Sequence, residues 1–398
     1  MVENKEKKVL NVPNLRFPEF EGEWEEERLS DIADLSKGIG ISKDQLSADG
    51  EPCILYGELY TKYKSETIKE VISKTNIDNT KLVKSKANDV IIPCSGETAE
   101  EIATARCVLK DDVLLGGDLN IIRLHGYDGS FMSYQLNGKR KYDIAKVAQG
   151  VSVVHLYGEH LKNIKTINPG LNEQKKIANL LSLLDERIAT QNKIIDKLQS
   201  LIKGISNRLL YADNSMSIRI EEMLIERSER TKKNNQYEIL SSTVNGIFSQ
   251  RDYFSKDIAS DNNVGYKIIH LHDIVLSPQN LWMGNINFND KFDIGIVSPS
   301  YKVFSIADGF DKKYVAALLK THHALYNYML VSEQGASTVR RNLNYEAFEQ
   351  LVFKIPSLNK QQEIGHVISL LKSQLENANL LIKTYNSQKQ YLLRQMFI

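Results

Sequence analysis

The chain has 398 residues, of which 42% are apolar, enough for two or three domains of ordinary globular composition. Lys and Arg number 51 against 50 Asp and Glu, a formal charge of +1. That balance excludes a uniformly basic nucleic-acid coat, so any basic surface is local or supplied by a partner.

In chain order, residues 1–170 read as a first mixed α/β domain. After a polar tail, Trp24–Leu35 has helical spacing at Leu29, Ile32 and Leu35. Apolar runs bounded by Gly, Pro and Asn predict strands at Cys53–Tyr56, Val90–Ile92, Val113–Leu115, Ile121–Leu124 and Val151–Leu156. Residues 171–212 predict a long helix, with Asn172 suited to its N-cap. Residues 213–357 form a second mixed α/β domain, polar and turn-like as far as Ile218. Helical spacing follows at Ile220, Met223 and Leu224. Strands are predicted at Ile268–Leu271, Ile274–Leu276, Ile294–Val297 and Tyr301–Ile306, and one helix over Lys312–Leu330. Residues 358–398 are a second long helix, with Asn359 and Gln362 spaced as in a capping box.

The long helices are copies of each other. Residues 169–184 and 356–371 share 8 of 16 positions without a gap, at an offset of 187. Each copy then continues a 4,3 apolar stepping. In the first the seam is Ile177, Leu181, Leu184, Ile188, Gln191, Ile195, Leu198, Ile202, Ile205 and Leu209. In the second it is Ile364, Ile368, Leu371, Leu375, Ala378, Ile382, Tyr385, Lys389, Leu392 and Met396. Unbroken heptads of this length predict a coiled coil. Gln191 and Lys389 are its two polar positions; a buried polar residue can fix register at a cost in stability, Lys389 can equally snorkel out, and the plain reading without a register role is preferred for both. The domains repeat more weakly: Asn88–Ile92 aligns with His272–Leu276, and Gln149–Ser152 with Gln334–Ser337. The fold class is therefore α+β: two mixed α/β domains in tandem duplication, separated by two long helices. Because the second helix must return toward the start, an antiparallel pair is expected, with the domains at opposite ends of a rod about 58 Å long.

Several motifs together resemble one known family. Pro169, Glu173, Gln174 and Ile177 form a Pro-x-x-x-Glu-Gln-x-x-Ile helix opening that is similar to the conserved helical region of type I restriction–modification specificity subunits. The second copy departs with Lys360 in place of Glu. Arg16–Trp24, Tyr56–Thr61, Ile92–Thr98, Gly116–Ile121 and Gln149–Tyr157 resemble segments of the family's first target-recognition domain. The resemblance covers the whole chain in the family's order. It implies two target-recognition domains, each reading one half of a split double-stranded DNA target. It also implies helices that set the spacing and dock two adenine-N6 methyltransferase subunits, with restriction/translocase subunits recruited to the complex. This chain would be non-catalytic and need no cofactor of its own. S-adenosylmethionine, ATP and Mg would belong to the partner subunits.

The residues themselves agree on missing chemistry. The sequence has no G-x-x-x-x-G-K-[ST] loop, no Asp/Asn-Pro-Pro-aromatic motif, no H-E-x-x-H and no G-x-S-x-G. Cys53, Cys94 and Cys107 form no C-x-x-C pair, so they read as reduced thiols and give no metal framework. His322-His323 reads as surface or packing. Met1–Lys8 is charged without an apolar stretch, and no run reaches the roughly 18 apolar residues of a membrane span, so a soluble, cytoplasmic protein without a membrane partner is expected.

Candidate DNA contacts combine cations with Ser, Thr, Asn, Gln, His and aromatic side chains, the types that anchor phosphates and read base edges. In the first domain they are Lys139, Arg140, Lys141, Gln149, Ser152, His155 and Tyr157. In the second they are Gln279, Asn280, Trp282, Asn285, Gln334, Ser337, Thr338, Arg340, Arg341 and Asn342. Tyr56, Tyr60 and Tyr63 read as half-buried aromatics. The other readings are a coiled-coil scaffold with two adaptor domains, and the specificity arm of another type of restriction system.

Overall fold

Two long helices, Leu171–Leu209 and Leu358–Gln395, dominate the computed structural model. It describes residues 10–150, 153–209, 216–253, 262–334 and 340–398, without the side chains of 207–209. The chain divides into two compact units: Met1–Asn192 with Leu380–Ile398, and Lys193–Asn379. Both divisions fall inside the long helices, so each unit is one domain plus a piece of each helix.

In the first unit, Glu25–Arg28 pairs antiparallel with Lys165–Asn168 and closes the domain just before the first long helix. Between these strands lie two five-stranded sheets. One carries Asp89–Pro93 and Leu119–Leu124 at its centre, with Ala33–Lys37 outside them. The other pairs Glu51–Ile54 with Leu114–Leu115 in parallel. The central strands are apolar on both faces, with Val90, Ile91, Ile92, Ile121 and Ile122 all fully buried. The three thiols lie in this domain; burial pushes Cys53 and Cys94 up to about 11 and Cys107 to about 12. They are inert at neutral pH.

The second unit repeats the plan. Met216–Arg219 pairs antiparallel with Val352–Ile355 before the second long helix. Its main sheet runs Leu224–Arg227, Lys302–Ile306, Ile274–Leu276, Ile286–Phe288. The aligned Asn88 and His272 both have a left-handed backbone, φ 84° and 75°. Each precedes a buried aspartate that caps its own turn: Asp89 accepts from the Lys86 N–H at 2.8 Å, and Asp273 from the His270 N–H at 2.7 Å.

Local competition corrects several sequence expectations. The helix expected through Leu35 is a single turn, Leu29–Ile32, followed by a strand in which Leu35 pairs with Ile122. The second unit does the same: Ile220–Met223 is one turn, and Leu224 pairs with Ile306. In each case the sheet supplies partners that another helical turn would forfeit. Lys312–Leu330 is two helices, Lys312–Leu318 and His322–Leu330, because the Thr321 hydroxyl accepts from the Ala324 N–H and starts a new helix. Residues 216–218, expected as turn, are strand.

The long helices begin at Leu171 and Leu358, so Asn172 and Asn359, expected as N-caps, lie inside the first turn instead. The capping box expected from Asn359 and Gln362 is absent. The glutamine of the repeated motif holds this junction instead. Gln174 Nε2 donates to the Pro169 carbonyl at 2.7 Å, and its Oε1 accepts from the Asp128 N–H at 2.9 Å. Gln361 repeats both bonds with Pro356 and Asp311, at 2.9 and 3.1 Å. Asp128 and Asp311 in turn cap a domain helix, accepting from the Phe131 and Tyr314 N–H groups at 2.8 Å each. One buried amide thus ties helix start to domain in both units. Lys360 has a plain account. Its counterpart Glu173 is buried in a fork–fork pair with Arg16, whereas Lys360 is exposed and pairs with Glu363.

Within each unit the helix pieces run antiparallel along the expected seam. In the first, Leu393, Met396 and Phe397 pack with Ile177 and Leu181, while Lys389 meets Asp185. In the second, Ile205 packs on the core containing Ile364 and Ile368. Leu184, Gln191, Ile195 and Ala378 are buried; Ile188, Leu198, Leu371, Leu375 and Ile382 are half-buried. Lys389 does not snorkel. Its ammonium lies 2.5 Å from Glu66 and 2.6 Å from Asp185, both carboxylates buried.

Candidate nucleic-acid interface

In the first unit three separate sequence segments converge. Val154–His155 pairs antiparallel with Ser95–Gly96, the Leu156 N–H donates to the Cys94 carbonyl at 2.8 Å, and Asn120 Nδ2 donates to the Leu156 carbonyl at 3.0 Å. The Gln149–His155 loop is closed by reciprocal backbone bonds of 2.9 and 2.7 Å. Gly150 is required there: its φ is +123°, and a Cβ would sit 2.1 Å from the Val153 carbonyl oxygen. This frame presents His155 and Tyr157, both exposed, with ring centroids 6.3 Å apart. Lys37, not among the sequence candidates, places its ammonium 5.6 Å over the Tyr157 ring. Ser95 Oγ lies 3.5 Å from His155 Nδ1. Lys37 is exposed and stands at a strand end before two alternating glycines, a signal available in the sequence but unused. Gln149 is exposed; Ser152 lies outside the described residues. Of the three tyrosines, Tyr63 is buried, Tyr60 donates to the Ser95 carbonyl at 3.1 Å, and Tyr56 is exposed.

The basic triplet does not join this cluster. Arg140 is committed to the chain end, donating to the Ile398 oxygen at 3.3 Å, with Asp143 at 3.5 Å. Lys139 and Lys141 line a separate cleft with Arg106 and Arg394.

In the second unit the candidates from two segments meet. The strand Arg341–Leu343 pairs with Ser332–Gln334, so Arg341 faces Gln334 and Asn342 faces Glu333. The Arg341 N–H donates to the Gln279 carbonyl at 3.1 Å, and its guanidinium stacks 4.4 Å from the Trp282 ring. Gln279, Gln334, Arg340 and Asn342 are exposed, and Asn280 and Trp282 half-buried. Arginine held flat on an indole is pre-oriented; its Nε is buried and without a hydrogen-bond partner. Asn285 is a correction. It is buried, accepting from Ser242 Oγ at 2.8 Å and donating to the Ser242 carbonyl at 3.0 Å, so it cannot reach a base. Ser337 and Thr338 lie outside the described residues. Among the described residues no group of three or more His, Cys, Asp or Glu is placed to hold a metal ion. No helix there is long and apolar enough to cross a membrane.

Residues 21–200 match the family model for the type I restriction modification DNA specificity domain. That segment is similar to the specificity domain of type I restriction–modification systems. The specificity subunit of the type I restriction enzyme MjaVIII from Methanocaldococcus jannaschii is 29% identical over 206 residues, 52% of this chain. That match spans 45% of the relative's own length. In fold, the chain is similar to the crystal structure of a type I restriction–modification S subunit from M. genitalium. The TM-score is 0.63 at 16% identity, over 97% of this chain and 99% of that one. The specificity-domain segment contains the converging His155 cluster, the Gln174 clamp and the first half of the duplicated helices.

Proposed function

We propose that the chain is the non-catalytic specificity subunit of a type I restriction–modification complex, acting in the cytoplasm. Each unit reads one half of a split double-stranded DNA target, and the long helices set the distance between the halves. The observation that carries this reading is duplication with unequal divergence. The clamp, the closing strands and the helix seam repeat, while the exposed polar and aromatic clusters do not. His155, Tyr157 and Lys37 in one unit, and Gln279, Trp282 and Arg341 in the other, are different surfaces on one plan. Different base sequences demand that.

The helices support the partner assignment. Three outward apolar positions recur at the offset of 187 with nearly equal exposure: Leu171 and Leu358 (38% and 40%), Leu183 and Leu370 (51% and 53%), Ile194 and Leu381 (42% and 44%). Exposed aliphatic side chains kept in both copies fit two copies of one partner, here the adenine-N6 methyltransferase subunit. Restriction/translocase subunits would join that assembly. S-adenosylmethionine, ATP and Mg would be held by the partners.

Methylome sequencing of a host carrying this chain and its methyltransferase tests the reading. Exchanging residues 1–168 for a divergent homologue's first domain changes one half of the methylated motif and keeps the other. A change in both halves, or methyl transfer by this chain alone, overturns it.

A further inference from the structure

The basic triplet finds no place in the His155 cluster, yet the structure gives two of its lysines a common environment. Lys139 and Lys141 face Arg106 and Arg394 across a cleft of about 420 Å³. The cleft lies between the end of a domain helix, Gly129–Asn137, and the last turns of the second long helix. Its one lining carboxylate, Glu66, is taken by Lys389 at 2.5 Å. Arg106 donates only to the carbonyls of Tyr63 and Ala105, and Arg394 Nε to the carbonyl of Gln390. Lys139 and Lys141 have no ion pair among the described residues. Four cations thus line one concave space; Glu66 and Asp185, which share Lys389, also balance Arg106, and Lys139, Lys141 and Arg394 remain as its charge surplus.

The second unit has a cleft at the same place in the repeat. Counting from the equivalent caps Asp128 and Asp311, Asn137 corresponds to Lys320 and Lys139 to His322. At the helix offset of 187, Gln390 corresponds to Lys203. Lys320, His322 and Lys203 line this second cleft, of about 330 Å³, together with Lys372. The side chains have exchanged positions, while the location and the sign of charge persist. Asp290 and Glu376 stand near Lys372, so its charge surplus is smaller.

We propose that the first cleft is a binding site for a phosphate-bearing anion, and the second a weaker version of it. A phosphate asks for converging donors and positive charge rather than particular side chains, which matches what the two units keep. A concave cleft suits a compact phosphoryl group, whether of a free polyphosphate or of a DNA backbone. The proposal does not depend on which bases either unit reads.

The test uses the full chain at low ionic strength, with inorganic pyrophosphate as probe in isothermal titration and chloride-matched controls. The variants are K139A/K141A and R394A, all exposed or half-exposed side chains, with thermal unfolding to show that they fold. K232A/K233A, two exposed lysines of the second unit, is the control. Pyrophosphate should bind the wild type and the control alike, and K139A/K141A about tenfold or more weakly. A second arm distinguishes the sources. If non-specific duplex DNA displaces pyrophosphate, and the salt slope of DNA binding falls by about 0.9 per lost contact in K139A/K141A, the anion is a backbone phosphate. If pyrophosphate binds equally well to the DNA-saturated chain, it is a free polyphosphate. Absence of binding by either probe, or equal pyrophosphate binding by the wild type and K139A/K141A, overturns the proposal.

Discussion

Where the first unit's domain meets the long helices, Tyr134, Asp185, Glu66 and Lys389 fill the junction. Tyr134 Oη and Ser65 Oγ donate to Asp185 Oδ2 at 2.7 and 3.0 Å, and Lys389 bridges Asp185 and Glu66. At the equivalent positions the second unit has Ala317 for Tyr134, Lys372 for Asp185 and Ile202 for Lys389, and a cavity remains. The helix seam is common to both, yet one junction is a buried ion cluster and the other an apolar wall under lysines. Shared helices evidently tolerate unlike junction chemistry as long as the glutamine clamp fixes the angle of approach. Burying charges costs desolvation, and the first unit offsets that by giving Asp185 three partners, Tyr134, Ser65 and Lys389, and by pairing Glu66 with the same ammonium.

The sharpest way to break this comparison is to remove one charge from each junction. Lys389→Met strands two buried carboxylates, and should destabilise the chain by about 3–5 kcal/mol in denaturant unfolding. Lys372→Met, at the position equivalent to Asp185, removes an exposed cation that has no ion pair among the described residues, and should change stability by less than about 0.5 kcal/mol. Equal costs would mean that the ion cluster is not what holds the first junction.

The clamp should behave identically on both sides. Gln174→Ala and Gln361→Ala each leave the N–H of Asp128 or Asp311 and a proline carbonyl without their partner. Each should cost about 1–3 kcal/mol. A loss confined to one variant would show that the duplicated geometry is not a duplicated energy.

Lys320 gives the pair a pH signature. Its ammonium donates to the Gly284 carbonyl at 2.7 Å, and burial, helped by Lys372, lowers its pKa from 10.5 to about 8. Below pH 8 the fold carries the full cost of holding the charge. Between about 8 and 10.5 the folded chain gives up a proton that the unfolded chain still binds, so stability rises with pH. The difference in unfolding free energy between wild type and Lys320→Met should therefore move in favour of the wild type across that window. A difference constant with pH would refute the depressed pKa.

Much of this plan is legible in the sequence because helices and their starts are local. The heptads, Gln174 and Gln361 all lie in the repeated segment, and the strands at Ile274–Leu276 and Ile294–Val297 follow from short apolar runs. What the sequence conceals is pairing at long range. Lys389 looks like a snorkelling interruption because its partner Glu66 is 323 residues away. Asn285 looks like a loop reader because nothing local announces Ser242. Lys139-Arg140-Lys141 looks like one basic patch, although a helical turn sends its middle residue to the chain end and its neighbours to a cleft. Propensity ended the early helices too late for the same reason: the strand partners of Leu35 and Leu224 lie about 80 residues further on.

The smallest expected effect is also the most direct probe of the empty junction. Ala317 is buried at the edge of the second cleft, beside Ile202, Ile368 and Leu375. Its counterpart in the first unit is Tyr134, so the backbone at this position accommodates a large side chain. Ala317→Leu would place apolar atoms against apolar walls already present, without a new polar group to satisfy. It should stabilise the second unit by about 0.5–1 kcal/mol, since filling a cavity recovers part of the transfer free energy and lost packing. Tyr134→Leu, the reverse exchange, removes a donor from buried Asp185 and should destabilise. If Ala317→Leu instead lowers the unfolding midpoint, the cavity closes in solution, and the two junctions are more alike than their side chains indicate.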